Sequence, residues 1–313
     1  MKEYDVIIIG GGGAGLTAAI YTSRAKLSTL LFEKLTPGGQ IALTDLVENY
    51  PAFPEGILGP EISQRMEAQA KRYGTEIAYQ EVTTLRREPD QTFYIETASE
   101  KYRAKSIILA AGASFRMLGV PGEKELTGRG VSYCATCDGA FFKDKEIVVV
   151  GGGDSALQEG IFLTRFATRV TVVHRRDKLR ASPILQQRAM ENAKISFIWD
   201  TVIEKVSGEQ KVTSVELKNV KSGERRAFRT DGVFIFIGHD PNSAFLKGFV
   251  ELDDKNYVKS DGSVKTSVPG VFAAGEIRAG AVKQLVSACG EGCEAALAAQ
   301  EYIEHLEHSA ARA

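Results

Sequence analysis

The feature that most restricts how this chain can fold occurs twice. Residues 4–25 read YDVIIIGGGGAGLTAAIYTSRA, and residues 146–167 read EIVVVGGGDSALQEGIFLTRFA. In each, a short β-branched run stops at glycines, and apolar residues then recur at helical spacing. The copies lie about 140 residues apart and give Gly10-x-Gly12-x-x-Gly15 and Gly151-x-Gly153-x-x-Ala156. This is a phosphate-cradling pattern. The first glycine permits a tight turn, the second lets backbone approach a pyrophosphate, and the small third residue lets helix pack on strand. Each copy also reaches a second strand-like run, STLLFEK (28–34) and RVTVVHRRD (169–177). Strand, glycine turn, helix and strand together specify a dinucleotide-binding unit, so the expected class is α/β with two Rossmann-like domains.

The ends of the second strands separate the ligands. Gly10 and Glu33 are 23 positions apart, as are Gly151 and His174. Glu33 therefore stands where a carboxylate accepts hydrogen bonds from ribose hydroxyls. The second copy has His174, Arg175 and Arg176 there, with Arg180 four residues on. A carboxylate repels a 2′-phosphate, whereas guanidinium groups bind it bidentately. The first unit should take an adenine dinucleotide with a free ribose, and the second NADPH in preference to NADH. In the second turn, Asp154 and Ser155 open the helix and join Gly151 and Gly153 as candidate cofactor residues. The alternative for the basic cluster is a solvated strand end.

The second unit reads as an insertion into the first. The chain leaves after ILAAGASF (108–115) and returns near VFIFIGHDPNS (233–243), both marked by Gly or Pro. The expected division is 1–114 with 242–313 for one domain and 115–241 for the other. A chain of 313 residues suits two domains. Its net charge is −1, with both signs scattered, which argues against a nucleic-acid partner. No apolar segment approaches 18 residues and no secretory leader precedes the first strand, so a cytoplasmic protein away from membranes is expected.

Four cysteines in such a chain do not make a disulfide framework. Cys134 and Cys137 sit in YCATCDG, and Cys289 and Cys293 in a helical small-residue stretch of the other domain. Cys-x-x-Cys can be half a zinc site, but zinc needs about four ligands and no second pair is close in sequence. A CxxC at a helix start makes a reactive thiolate, and Asp138 beside it can carry protons. Two dinucleotide sites and a dithiol compose a redox relay, which favours redox over zinc. Cys289 and Cys293, four apart, read as small residues packing a helix, with an auxiliary thiol pair as the alternative.

These residues resemble the low-molecular-weight, bacterial-type thioredoxin reductases over essentially the whole chain. The matching pieces are GGGGAGLTAAIY, PGGQ (37–40), VENYP (47–51), GRGVSYCATCDG, GGGDSA, HRRDKLRA, GHDPN and GVFAAGE, in that order. The resemblance implies FAD held by the first and last segments and NADPH held by the insert. It places Ala14 in the first fingerprint, Gly39, Gln40 and Asn49 near the flavin, and Gly275, Glu276, Lys283 and Gln284 in a loop bordering it. It makes Cys137 the thiol facing the flavin, Cys134 the one attacking a thioredoxin disulfide, and Asp138 the acid/base. It also implies a homodimer whose two domains rotate. Three positions depart from the family pattern: Glu276 for aspartate, Lys283 for arginine, and Ala110-Ala111-Gly112 for Ala-Thr-Gly. Competing readings are a peroxiredoxin-linked reductase, whose N-terminal thiol-transfer module is not expected ahead of Tyr4, and a small-molecule dithiol oxidase, against which Arg175, Arg176 and Arg180 count. A ferredoxin–NADP reductase would lack the CxxC. From another class comes a non-catalytic zinc or redox-sensing module.

Overall fold

Both apolar runs that lead into the glycine turns are strands buried on both faces, as expected of parallel sheet covered by helices or a second layer. The computed structural model describes residues 1–43, 46, 47 and 49–310. The chain divides into two compact units, Met1–Ser114 with Asp240–Ala313, and Phe115–His239.

In the first unit, β1 (Lys2–Ile9) turns into α1 (Gly13–Arg24) and on to β2 (Thr29–Phe32). A hairpin of β3 (Leu46–Val47) and β4 (Ile57–Leu58) precedes α2 (Gly59–Arg72) and β5 (Glu76–Ala78). β6 (Val82–Arg87), β7 (Phe93–Thr97) and β8 (Lys101–Leu109) form an antiparallel meander. β8 returns parallel to β1, with Ile7 opposite Ile107 and Ile9 opposite Leu109, so the sheet runs β5-β2-β1-β8-β7-β6. Alternate residues feed two cores: Val6, Ile8, Leu31 and Ile108 on one face, and Ile7, Ile9, Leu30 and Phe32 on the other. A slip of one residue would exchange the two sets, which pins the register. β9 (Ala113–Phe115) then carries the chain out.

The second unit begins with β10 (Val131–Ser132) and a single helical turn, α3 (Ala135–Asp138). β11 (Glu146–Gly151), α4 (Asp154–Leu163), β12 (Arg169–Val173), α5 (Pro183–Glu191) and β13 (Ile195–Ile198) follow. An antiparallel sheet of β14 (Thr201–Ser207), β15 (Ser214–Asn219) and β16 (Arg225–Arg229) intervenes. β17 (Gly232–Phe236) then lies between β10 and β11, in a parallel sheet of order β10-β17-β11-β12-β13. Val148, Val150 and Ile235 pack against Val206, Val215 and Leu217 of the antiparallel layer, while Val149, Val172 and Phe234 pack against Leu157, Leu163 and Ala189 of the helices.

β18 (His239–Pro241) pairs with β9, so the outgoing and returning strands run side by side. Asn242 fastens the return, its backbone N–H donating to the Gly112 carbonyl (3.0 Å) and its side-chain amide to that of Ala111 (2.8 Å). β19 (Val271–Ala273) continues alongside β8 in parallel, and α6 (Leu285–Ala310) packs against α1. The α1–α6 approach depends on small residues, because a Cβ on Gly292 would overlap the backbone of Ala14. Among the described residues, no helix is long and apolar enough to cross a membrane.

Candidate active site

The first glycine turn is shaped by close approach. A Cβ on Gly10, whose φ is +108°, would overlap the Ala110 carbonyl, and one on Gly15 would overlap the carbonyl of Gly10. Gly12 differs, since a Cβ there would meet open space. Gly12 is also the N-cap of α1, and no side chain caps that end. Among the described residues, no side chain accepts from the first backbone N–H groups of the helix, and an anion is favoured at such an end. Glu33, at the end of β2, accepts the N–H of Gly11 on one oxygen (2.9 Å) and that of Leu35 on the other (3.0 Å). Each oxygen keeps a lone pair for a hydroxyl donor.

Residues far apart in sequence gather around this turn. A Cβ on Gly39 would lie 3.3 Å from Gly12 Cα, and the N–H of Gly38 donates to the Gly11 carbonyl (2.6 Å). Gln40 donates to the Ala113 carbonyl (2.7 Å), and Asn49 donates from Nδ2 to Gln284 Oε1 (2.8 Å). Ala14 is buried, and a Cβ on Gly275 would lie 3.1 Å from its own Cβ. Glu276 Oε2 is buried and has no hydrogen-bond partner among the described residues. Burial pushes that carboxyl up, and Lys283 opposes the shift. A dinucleotide fits these groups: an uncapped helix end for pyrophosphate, a ribose acceptor in Glu33, and an orphaned acceptor in Glu276 for the hydroxyls of a polyol.

The second turn repeats the plan with other chemistry. A Cβ on Gly151 would overlap the Phe236 carbonyl, while one on Gly153, the uncapped N-cap of α4, would meet open space. Asp154 accepts the Ser182 N–H (2.6 Å), and Ser155 is exposed. The N–H of Arg180 donates to the Gly152 carbonyl (2.7 Å), tying the basic segment to the turn. The guanidinium groups of Arg175, Arg176 and Arg180 are solvent-facing and make no ion pair among the described residues. His174 turns inward instead. Its ring fills the space a Gly152 side chain would need, and its Nε2 meets the Lys178 carbonyl (3.0 Å). It therefore supports the turn from beneath while the arginines form the exposed cluster.

Cys134 is disulfide-bonded, whereas Cys289 and Cys293 are free thiols. The side chain of Cys137 lies outside the described residues; its backbone belongs to α3. That helix is one turn long and passes into a 3-10 turn at Gly139–Phe142, so its dipole is that of a few peptides. The Cys134 N–H donates to Ser132 Oγ (3.1 Å), and the Asp138 N–H to the Cys134 carbonyl (3.3 Å). Asp138 is half-buried at the end of α3. Cys289 Sγ lies 3.7 Å from the Gly13 carbonyl, and burial pushes its thiol up. Among the described residues, no three His, Cys, Asp or Glu side chains converge as a metal site would require.

Residues 4–292 match the pyridine nucleotide-disulphide oxidoreductase family. The thioredoxin reductase of Bacillus subtilis is 51% identical over 309 residues, covering 98% of this chain and 97% of its own. The chain belongs to this family, in its low-molecular-weight thioredoxin reductase branch. Solved thioredoxin reductases agree in fold. That of Lactococcus lactis superposes with a TM-score of 0.89 at 46% identity, covering 96% of this chain and 99% of its own. That of T. acidophilum gives 0.87 at 36%, covering 98% of this chain and all of its own.

Within this thioredoxin reductase framework, sequence reasoning missed one residue beside the redox turn. Glu123 is buried, and its carboxylate accepts the N–H groups of Leu118 (2.7 Å) and Gly119 (2.6 Å) and the hydroxyl of Tyr133 (2.7 Å). Burial and that carboxylate hold the Tyr133 phenol well above its usual range. The carboxylate anchors the residue next to Cys134, with no ion pair of its own among the described residues. Glu123→Gln puts an amide N–H₂ against donors and is expected to cost about 3 kcal/mol in urea unfolding. A loss below about 1 kcal/mol, the net worth of one ordinary hydrogen bond, would show that the anchor is dispensable. Glu159, in the second turn of α4, is a further carboxyl that burial alone pushes up to about 7.

Proposed function

We propose that this chain uses NADPH to reduce the disulfide of a thioredoxin, working as a flavoprotein. The observation that carries this reading is the contrast between two like cradles in a chain that also holds a disulfide at Cys134. One cradle ends in Glu33, the other in an arginine cluster that makes no ion pair among the described residues. Gly10, Gly12, Ala14, Gly15 and Glu33 would hold the adenine dinucleotide half of FAD. Gly39, Gln40, Asn49, Gly275, Glu276, Lys283 and Gln284 would surround the rest. Gly151, Gly153, Asp154 and Ser155 would receive the NADPH pyrophosphate, with Arg175, Arg176 and Arg180 on the 2′-phosphate and His174 supporting the turn.

When bound, FAD supplies the chemistry that no side chain offers, accepting a hydride from NADPH and returning an electron pair to the protein disulfide. The protein steps are thiol–disulfide exchange. The Cys134 thiolate attacks one sulfur of the partner disulfide, forming a mixed disulfide and releasing one partner thiolate. Cys137 then attacks Cys134 Sγ, which releases the second partner thiolate and restores the internal disulfide. Asp138 carries the proton that each leaving thiolate requires.

A homodimer is the assembly that the family resemblance implies. Val286 and Leu297 are exposed on one face of α6, with Tyr21 exposed on α1, and supply apolar surface for it. A cytoplasmic setting agrees with the free thiols of Cys289 and Cys293.

Anaerobic titration of the purified protein tests the function. NADPH should bleach the flavin absorbance at far lower concentration than NADH, and oxidised thioredoxin should restore it. A yellow protein that neither nucleotide bleaches would overturn the donor assignment in favour of a dithiol oxidase or another electron source.

A further inference from the structure

A largely buried ion pair stands behind the flavin-side loop and plays no part in the steps above. Glu291, in the second turn of α6, and Arg278 are held side-on: Arg278 Nη2 donates to Glu291 Oε1 (2.7 Å) and Nε to Oε2 (3.4 Å). Their side chains are only 11% and 13% exposed. The same Oε2 accepts the backbone N–H of Gly275 (2.7 Å), and Arg278 Nη1 reaches Ser260 Oγ (3.3 Å). Between the two clamped points lies one short turn, Gly275–Ile277, closed by the Arg278 N–H on the Gly275 carbonyl (3.1 Å). Gly275 has φ +74°, which an L side chain rarely adopts and glycine adopts freely, and a residue this permissive has its orientation set by the hydrogen bonds it makes.

The middle residue of that turn is Glu276, whose Oε2 is buried without a partner among the described residues. A buried acceptor left empty is costly unless a ligand donor fills it. Glu276 has one more rotatable bond than an aspartate, so more freedom must be removed to aim it. A bidentate guanidinium–carboxylate pair is a suitable fixing device, since its two parallel bonds set direction as well as distance.

We propose that the Arg278–Glu291 pair is a positioning clamp that aims the Glu276 carboxylate into the flavin cradle, so that FAD retention depends on two residues that do not touch FAD. This rests on the FAD reading of the first cradle. Loss of either clamp residue releases the Gly275 turn, and Glu276 then accepts from water as readily as from a cofactor hydroxyl.

The test compares FAD binding, by fluorescence titration of flavin-stripped protein, across wild type, Arg278→Met, Glu291→Gln and the double variant Arg278→Met/Glu291→Leu. The double variant removes both charges together and leaves no unpaired ion in the interior, so it should melt near wild type. Its dissociation constant for FAD, measured far below melting, should nevertheless rise at least tenfold. Recovery of wild-type affinity in the double variant would overturn the clamp and leave only a structural ion pair. A wild-type protein that binds no FAD would instead overturn the reading of the cradle. Hydrogen exchange on flavin-stripped wild type needs no substitution: the Gly275 amide should be protected, and exchange at the open-chain rate would also sink the proposal.

Discussion

Cys134→Ser is expected to abolish thioredoxin reduction while leaving the bleaching of the flavin by NADPH intact. A serine hydroxyl is almost never ionised near neutral pH, so the nucleophile disappears and not merely its optimum. The loss should reach about 10³-fold or more, on the order of 4 kcal/mol in the barrier. The half-reaction with NADPH uses the two cradles and no sulfur, so the amplitude and rate of bleaching should stay within about twofold of wild type, below 0.5 kcal/mol. Stopped-flow absorbance gives that half-reaction, and insulin precipitation with thioredoxin gives the other. Reduction of thioredoxin at the wild-type rate would move the chemistry to another thiol. Cys289 is a poor candidate, because burial pushes its thiol up and its sulfur faces the Gly13 carbonyl. Cys289→Ala is the control and should leave turnover unchanged. The complementary Cys137→Ser should accumulate a mixed disulfide between Cys134 and the partner, since the first attack survives and the resolving step does not.

What could be read from the sequence was whatever is fixed by local periodicity. The two glycine turns, the strands before and after them and the helices they open depend on neighbours within about 25 positions, as does the contrast between Glu33 and the arginines. His174 follows from the same periodicity. Val170 and Val172 face the helical core, and strand alternation carries His174 to that same inner side, apart from Arg175. The CxxC motif suggested a helix start, but the helix passes into a 3-10 turn after Asp138, at Gly139, where a side chain would press on Leu163 and Phe166. The antiparallel layer β14–β16 carries no motif and was not anticipated. Glu123, Arg278 and Glu291 were invisible for a different reason. A lone charged residue reads as solvated, and only the tertiary fold reveals that Glu123 accepts from Tyr133 or that Arg278 meets an acid 13 positions on. Asn49 and Gln284, 235 positions apart, were linked in the sequence only by resemblance, and the fold supplies the 2.8 Å contact that joins them.

Arg175→Ala with Arg176→Ala should lower kcat/KM for NADPH by about 100-fold, as expected from losing charge-assisted contacts to one phosphate, while NADH changes little. The two cofactors differ only at the 2′ position, so a residue that meets the phosphate discriminates between them and a residue that shapes the turn does not. This gives His174 the opposite signature. Its ring lies under Gly152, in the turn that receives the pyrophosphate common to both nucleotides. His174→Ala should therefore weaken NADPH and NADH by similar factors. Ionic strength separates the cases again. Exposed charges are screened over about 8 Å at physiological salt, so the wild-type KM for NADPH should climb with added salt, and the arginine double variant should lose most of that slope. Equal losses for NADPH and NADH in the arginine variant would mean that the segment folds the turn and does not read the phosphate. The preference for NADPH would then have to reside in Arg180, whose backbone N–H already sits on the Gly152 carbonyl and whose side chain is exposed.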